Sequence, residues 1–128
     1  MTDALADTSV FIARDAGRPV DLGRLPERLG ISVVTIGELH AGVLGAADVQ
    51  TRARRLATLL AALRLESAVI DASVAQAWAS LRQALHEAGL RMPANDSWIA
   101  ATAITLGVPV VTQDDDYDGV PGLDVIHV

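Results

Sequence analysis

The carboxylates of this chain recur at places where they could act as one group. Asp7 ends the apolar run Ala4–Asp7, and Asp71 follows the run Glu66–Ile70. Asp114, Asp115, Asp116 and Asp118 follow Val108–Thr112, and Glu38 lies just beyond Ile31–Val34. Asp96 shares a helical face with Ile99, Ala100 and Ala103, which turns it inward. Two like charges ~4 Å apart repel by about 4 kcal/mol at an effective dielectric of about 20. A divalent cation is the usual agent that offsets such repulsion. Oxygen-only ligands select hard ions, so magnesium is expected, with manganese as the alternative and zinc disfavoured. A cation held there would lower the pKa of a coordinated water, and the chemistry suggested is hydrolysis.

Each acid also has a plainer role open to it. Asp7 and Asp71 stand where helix N-caps belong. Thr35-Ile-Gly-Glu38 matches a capping box, with Thr35 as the cap and Glu38 as its far half. Asp96 in a first helical turn would favour the helix dipole, and Asp114–Asp118 could form a solvated acidic turn. The combination carries more than any member: an acid after each of several strands, one inward-facing acid, and no lysine to neutralise them.

The elements that must position these acids follow from periodicity and punctuation. Ala4–Asp7 reads as a first strand, with a turn at Asp7 and a helix to about Asp15. Gly17–Gly30 reads as a connection with a helical turn near Leu25–Leu29. Ile31–Val34 is a second strand, followed by a helix whose apolar face is Leu39, Val43 and Leu44. Val49, Ala53, Leu56, Leu60 and Leu63 repeat at four-three spacing and predict an amphipathic helix. Glu66–Ile70 is a third strand, and Val74, Trp78, Leu81, Leu85 and Ala88 predict a helix stopped by Gly89. Pro93 opens a further helix through Leu106, ended by Gly107. Val108–Thr112 and Leu123–Val128 are the last strands. Strands alternating with helices predict an α/β domain with a mainly parallel sheet. In such a sheet all strand ends lie on one edge, where ligands bind, so acids distant in sequence can converge.

Composition narrows the functions further. A length of 128 residues with 51% hydrophobic content suits one domain, residues 1–128, with a single core and no need of disulfides. A net charge of −6 argues against nonspecific duplex binding. All ten basic residues are arginine, which excludes a Walker P-loop and a Schiff-base lysine. No cysteine is present, so thiolate metal sites are excluded. No apolar run approaches a membrane span, and MTDALADTSV lacks the regions of a signal peptide, so the expectation is a cytoplasmic protein without a membrane partner. His40, His86 and His127 show no ligand spacing and read as surface or packing residues.

Four segments together resemble the PIN-domain nucleases (the PilT N-terminal family), and within them the small ribonuclease toxins of VapC type-II toxin–antitoxin pairs. They are ADTSVFI with Asp7, ISVVTIGELHAGV with Glu38, NDSWIAATAITLGVPVVT with Asp96, and TQDDDY with Asp114 and Asp116. The resemblance runs nearly the whole chain in the family's order. It implies a three-layer α/β/α domain with a mainly parallel central sheet. It also implies that Asp7, Glu38, Asp96 and Asp114 are catalytic, and that Asp7, Asp96, Asp114 and Asp116 hold Mg2+ or Mn2+. Ser9 and Thr112 correspond to small hydroxyl residues beside the site, and Asn95 precedes the third acid. Tyr117 stands where phenylalanine is more common, and Asp115 makes the turn unusually acidic. The family's sheet order places the third strand two strands from the first, ~10 Å away at ~4.8 Å per strand, so Asp71 reverts to a cap.

The implied activity is metal-dependent cleavage of structured RNA (transfer or ribosomal) at single-stranded sites, leaving 5′-phosphate and 3′-hydroxyl ends. The implied partners are a cognate antitoxin that blocks the active site and a second copy of the chain, giving a homodimer within a toxin–antitoxin hetero-oligomer. Apolar surface around Leu39–Leu63 is a candidate antitoxin groove. Arg14, Arg18, Arg52, Arg55, Arg82 and Arg91 are candidate phosphate contacts, and Trp78 and Trp98 are either base-stacking or core residues. Two alternatives compete. A PIN-like domain could bind RNA or a partner without cleaving. A receiver-type signalling domain would use Asp71, but it needs an acid pair after the first strand and a lysine after the fifth, and both are missing.

Overall fold

Short apolar runs make the strands, and most pass directly into a helix. A computed structural model describes residues 2–128. Along the chain run β1 (Ala4–Ala6), α1 (Thr8–Asp15), β2 (Leu29–Ser32), α2 (Val33–Leu44) and α3 (Val49–Ala62). Then come β3 (Glu66–Ala68), α4 (Ala72–Glu87), α5 (Ala94–Leu106), β4 (Val110–Thr112) and β5 (Val125–His127). The five strands form one sheet in the order β3-β2-β1-β4-β5, and every pairing is parallel. The expected α/β class is therefore the observed one.

Central β1 divides the core. Its side chains alternate between faces, and Leu5 packs with Val74, Leu81, Leu85 and Ile99 of α4 and α5. Ala6 faces the other way, into Phe11, Ile31, Leu39, Val43 and Leu59. Helices thus cover both sheet faces, which is why the strands read as apolar runs rather than alternating ones. The small residues Ala100, Ala101 and Ala103, all fully buried, let α5 approach the sheet closely. Gly107, at φ 68°, ends α5 in the left-handed conformation that glycine adopts without strain.

Strand order reverses between β1 and β4. From β1 the chain builds outward to β2 and β3, and later to β4 and β5 on the other side. The reversal leaves a crevice at the strand C-terminal ends, bordered by the residues that follow β1 and β4. Those residues include Asp7 and Asp114.

Several local expectations are corrected. Ser32, not Thr35, caps α2, its side chain accepting from the Val34 N–H at 3.1 Å. The helix therefore begins at Val33, which had read as strand. Glu38 then lies too far along the helix to close a capping box. The turn in the first connection is a 3-10 turn at Leu22–Arg24 rather than near Leu25–Leu29. β3 stops at Ala68, and Val69 beyond it is 63% exposed. The four-three stripe of α3 faces outward: Val49, Leu56, Leu60 and Leu63 are exposed, while Leu59 and Ala62 make the buried edge. That helix carries two apolar edges, and the shorter one meets α2 and the sheet.

Asp71 is a helix cap, accepting from the Val74 N–H at 3.0 Å. Asp71→Ala is expected to lower stability by about 1 kcal/mol, read from the midpoint of urea denaturation; an unchanged midpoint would contradict the capping role.

Candidate active site

The chain leaves β1 at Asp7, whose Oδ2 accepts from the Ser9 N–H at 3.2 Å and so caps α1. The same oxygen accepts from the Thr112 hydroxyl at 3.0 Å, at the end of β4. Oδ1 accepts from the Tyr117 phenol at 2.8 Å. Asp7 is 2% exposed and Tyr117 fully buried, so donors from three chain segments hold a buried carboxylate in one orientation. Backbone register fixes the arrangement, since the Asp7 N–H donates to the Val111 carbonyl at 2.8 Å.

Ser9 and Thr112 tie the start of α1 to the acidic turn. Their hydroxyl oxygens are 3.1 Å apart. Thr112 has one proton, and it goes to Asp7; Ser9 therefore donates to Thr112. In turn Ser9 Oγ accepts the Gln113 N–H and Thr112 Oγ1 the Asp114 N–H, each at 3.0 Å. Both residues are buried and shape the turn.

Asp96 enters from the first turn of α5. Burial pushes its pKa up to about 7, the charges of Asp7 and Asp116 add to the rise, and a hydrogen bond from Tyr117 opposes it. Asp114 is raised in the same way, by burial first and then by Asp7 and Asp116, with Arg18 opposing. Asp7 and Asp116 therefore act on both Asp96 and Asp114. Burial and then the charges of Asp7 and Asp96 hold the Tyr117 phenol well above its ordinary pKa, so it remains a donor.

Glu38 stands at the edge of this group. Its Oε1 accepts from the Thr8 hydroxyl at 2.8 Å, and Thr8 directly follows Asp7. Thr35 Oγ1 lies 2.9 Å from the same hydroxyl. Glu38 opens onto a cleft of about 300 Å³ lined also by Asp15 and Arg55. Asn95 is exposed on the first turn of α5. Asp115 and Asp118 face away from the crevice toward His127, whose Nε2 is 2.7 Å from Asp118 Oδ1. At those three residues the ligand atoms lie within 4.8 Å of one another, tighter than the crevice acids.

The crevice fits a hard dication. Its donors are all carboxylate oxygens from separate segments, and burial together with the charges of Asp7 and Asp116 raises the pKa of Asp96 and Asp114 there. Sequence reasoning passed over two members, Tyr117 and Thr8. Tyr117 is the sole tyrosine and lies inside the acidic turn, and a buried phenol requires an acceptor. Thr8 carries no such signal.

A model of the PIN domain matches residues 4–123. The chain belongs to the PIN-domain family. It is 50% identical over 126 residues to ribonuclease VapC4 of Mycobacterium tuberculosis, across 98% of this chain and 96% of that protein. Ribonuclease VapC5 of the same organism is 46% identical over 125 residues, across 95% and 93%. A solved structure of VapBC-5, a member of the VapBC family of toxin–antitoxin systems from M. tuberculosis, superposes with a TM-score of 0.89. That match covers 98% of both chains at 44% identity. PIN-domain membership makes the β1/β4 crevice the place to look for nuclease chemistry.

Two outcomes follow from this geometry. The folded pKa of Asp96 lies above its unfolded value of 3.8, so the metal-free folded state holds more protons than the unfolded state between 3.8 and about 7. Stability without metal should therefore fall as pH rises from 5 to 8, measured as Tm in chelator; a rising Tm would contradict it. Tyr117→Phe removes a donor from buried Asp7 and is expected to cost about 1.5–3 kcal/mol in chemical denaturation. A cost near zero would mean that the phenol does not support Asp7.

Proposed function

We propose that this PIN-domain chain is the ribonuclease toxin of a toxin–antitoxin pair, an endoribonuclease dependent on Mg2+ or Mn2+. The observation that carries the reading is the convergence of Asp7, Asp96, Asp114 and Asp116 on the β1/β4 crevice, where Asp96 retains its proton to about pH 7. Asp7, Asp96 and Asp114 are the principal ligands, with Asp116 and Glu38 binding directly or through water. When bound, the dication supplies water activation and charge stabilisation at an RNA phosphate. The chain's own residues do the positioning. Ser9, Thr112 and Tyr117 fix Asp7, and Thr8 orients Glu38. A bound cation would favour the ionised forms of Asp96 and Asp114, whose pKa values burial and then the neighbouring carboxylates raise. The substrate is structured RNA cut at single-stranded sites, leaving 5′-phosphate and 3′-hydroxyl ends, and no side chain acts as a covalent nucleophile.

The outward stripe of α3 supports a protein partner. Val49 is 83%, Leu60 54% and Leu63 46% exposed, aligned on one helix face beside α2. An antitoxin covering this face, with the toxin paired as a homodimer, is the assembly the reading implies. Among the described residues no helix is long and apolar enough to cross a membrane.

Asp96→Asn should preserve the fold and lower RNA cleavage by roughly 100-fold or more, beyond the ~10–100-fold typical of losing a residue that merely supports a ligand. Chelator should abolish wild-type cleavage, and sequencing of RNA 5′ ends after induced expression should reveal discrete sites. Undiminished cleavage by Asp96→Asn would remove Asp96 from the site, and metal binding without any cleavage would overturn the nuclease reading.

A further inference from the structure

Both tryptophans of the chain lie on the side of the sheet that α4 and α5 cover. Trp78 of α4 and Trp98 of α5 stack with ring centroids 4.2 Å apart and planes 1° from parallel. Neither is fully buried; each packs on the core from its edge. Trp78 is held in place by its Nε1–H, which donates to Ser97 Oγ at 3.0 Å, and Ser97 Oγ donates to the Ala94 carbonyl at 2.6 Å. The guanidinium carbon of Arg82 lies over the Trp78 ring, 4.9 Å from its centroid. Trp78, Arg82 and Ser97 line a groove of about 570 Å³ together with Arg91, His86, Met92 and Ala94, and Trp98 supports Trp78 from behind.

The charge of the groove is opposite to that of the chain as a whole. The chain carries −6 overall, yet no carboxylate lines this wall. Among the described residues neither Arg82 nor Arg91 forms an ion pair, unlike Arg28 and Arg54, which pair with Asp3 and Asp15. Ala94 and Ser97 face the groove while Asp96, on the same turn of α5, faces the acids. The two sites are thus neighbours around the first turn of α5.

We propose that this groove holds the single-stranded RNA flanking the scissile phosphate, with a base stacked on the outer plane of the Arg82 guanidinium, which Trp78 and Trp98 back from behind, and an adjacent phosphate on Arg91. Bases stack on aromatic rings and on guanidinium planes without sequence preference, which suits a strand that is unpaired at the cut. The planar fork of Arg82, already aligned by Trp78, loses little freedom when a phosphate or base arrives. The proposal rests on the ribonuclease reading for its substrate class, and it assigns the side on which that substrate lies.

A direct test titrates the full chain with a single-stranded oligouridylate in chelator, following tryptophan fluorescence. Because Trp78 lines the groove beneath Arg82 and stacks on the second tryptophan, saturable quenching is expected. Arg82→Ala/Arg91→Ala should weaken binding about tenfold and reduce the slope of log K against log salt by about 0.7, the value for one phosphate contact. Arg82→Lys, which keeps charge but not planarity, should recover the salt slope and not the full quenching. Both arginines are exposed, and an unchanged Tm confirms the fold of each variant. Wild-type affinity and slope in the double variant, or no quenching in the wild type, would overturn the groove. Loss of antitoxin binding by the double variant with RNA affinity intact would likewise overturn it and make this a protein-docking face. Metal-dependent cleavage is scored separately: its absence in the wild type sinks the nuclease reading, whereas cleavage lost in Asp96→Asn and intact in the double variant sinks the groove alone.

Discussion

Repulsion among carboxylates gathered in one crevice is the constraint around which this molecule is organised. Asp7 and Asp116 raise the cost of ionising Asp96 and Asp114, on top of the larger cost of burying them. Asp7 receives its donors from backbone, threonine and tyrosine, and none of these can move independently of the sheet. Tyr117 also donates to Asp96, too little to offset burial and the neighbouring charges. A fold shaped for stability alone would have removed these acids or paired them with arginine, as it does for Asp3 and Asp15 at the surface. Their retention at a topological switch point is what gives the site its affinity for positive charge.

The scaffold serves this arrangement by being short and buried at its centre. β1 and β4 contribute three residues each, fully buried, so the backbone that presents Asp7 and the acidic turn has little room to relax. α5 approaches through alanines rather than large side chains and brings Asp96 in at its first turn. Hydroxyls then do the local work. Ser9, Thr112 and Thr8 each connect an acid, or the backbone bearing one, to a neighbouring segment, so the crevice is rigid in its walls and unbalanced in its charge.

The sequence made the architecture and the acids legible because both leave repeating marks. Apolar runs punctuated by acids gave the strands and their ends, parallel connectivity allowed distant acids to converge, and the resemblance to PIN-domain nucleases singled out Asp7, Asp96, Asp114 and Asp116. Asp71 resolved to a cap by the same reasoning about sheet order. Periodicity was less informative on which side of a helix is inside. The α3 stripe is regular, yet it faces solvent, because a helix flanking an already covered sheet can bury either of two apolar edges. The α2 cap misled for a local reason: two hydroxyls, Ser32 and Thr35, stand three residues apart, and only the backbone decides which begins the helix. The roles of Tyr117 and Thr8 depend on contacts across 110 and 30 residues, which no local pattern encodes. The pairing of His127 with Asp118 likewise arises from the return of β5 beside the turn, not from ligand spacing.

The account's central claim is that the crevice takes up a hard dication in exchange for protons. Calorimetric titration of Mn2+ at pH 6.5, repeated in buffers of different ionisation enthalpy, measures that exchange directly. The account predicts net release of up to about one proton per ion from the wild type, and weak binding without proton release from Asp96→Asn. Binding of equal strength in that variant, or no proton release from the wild type, would contradict it.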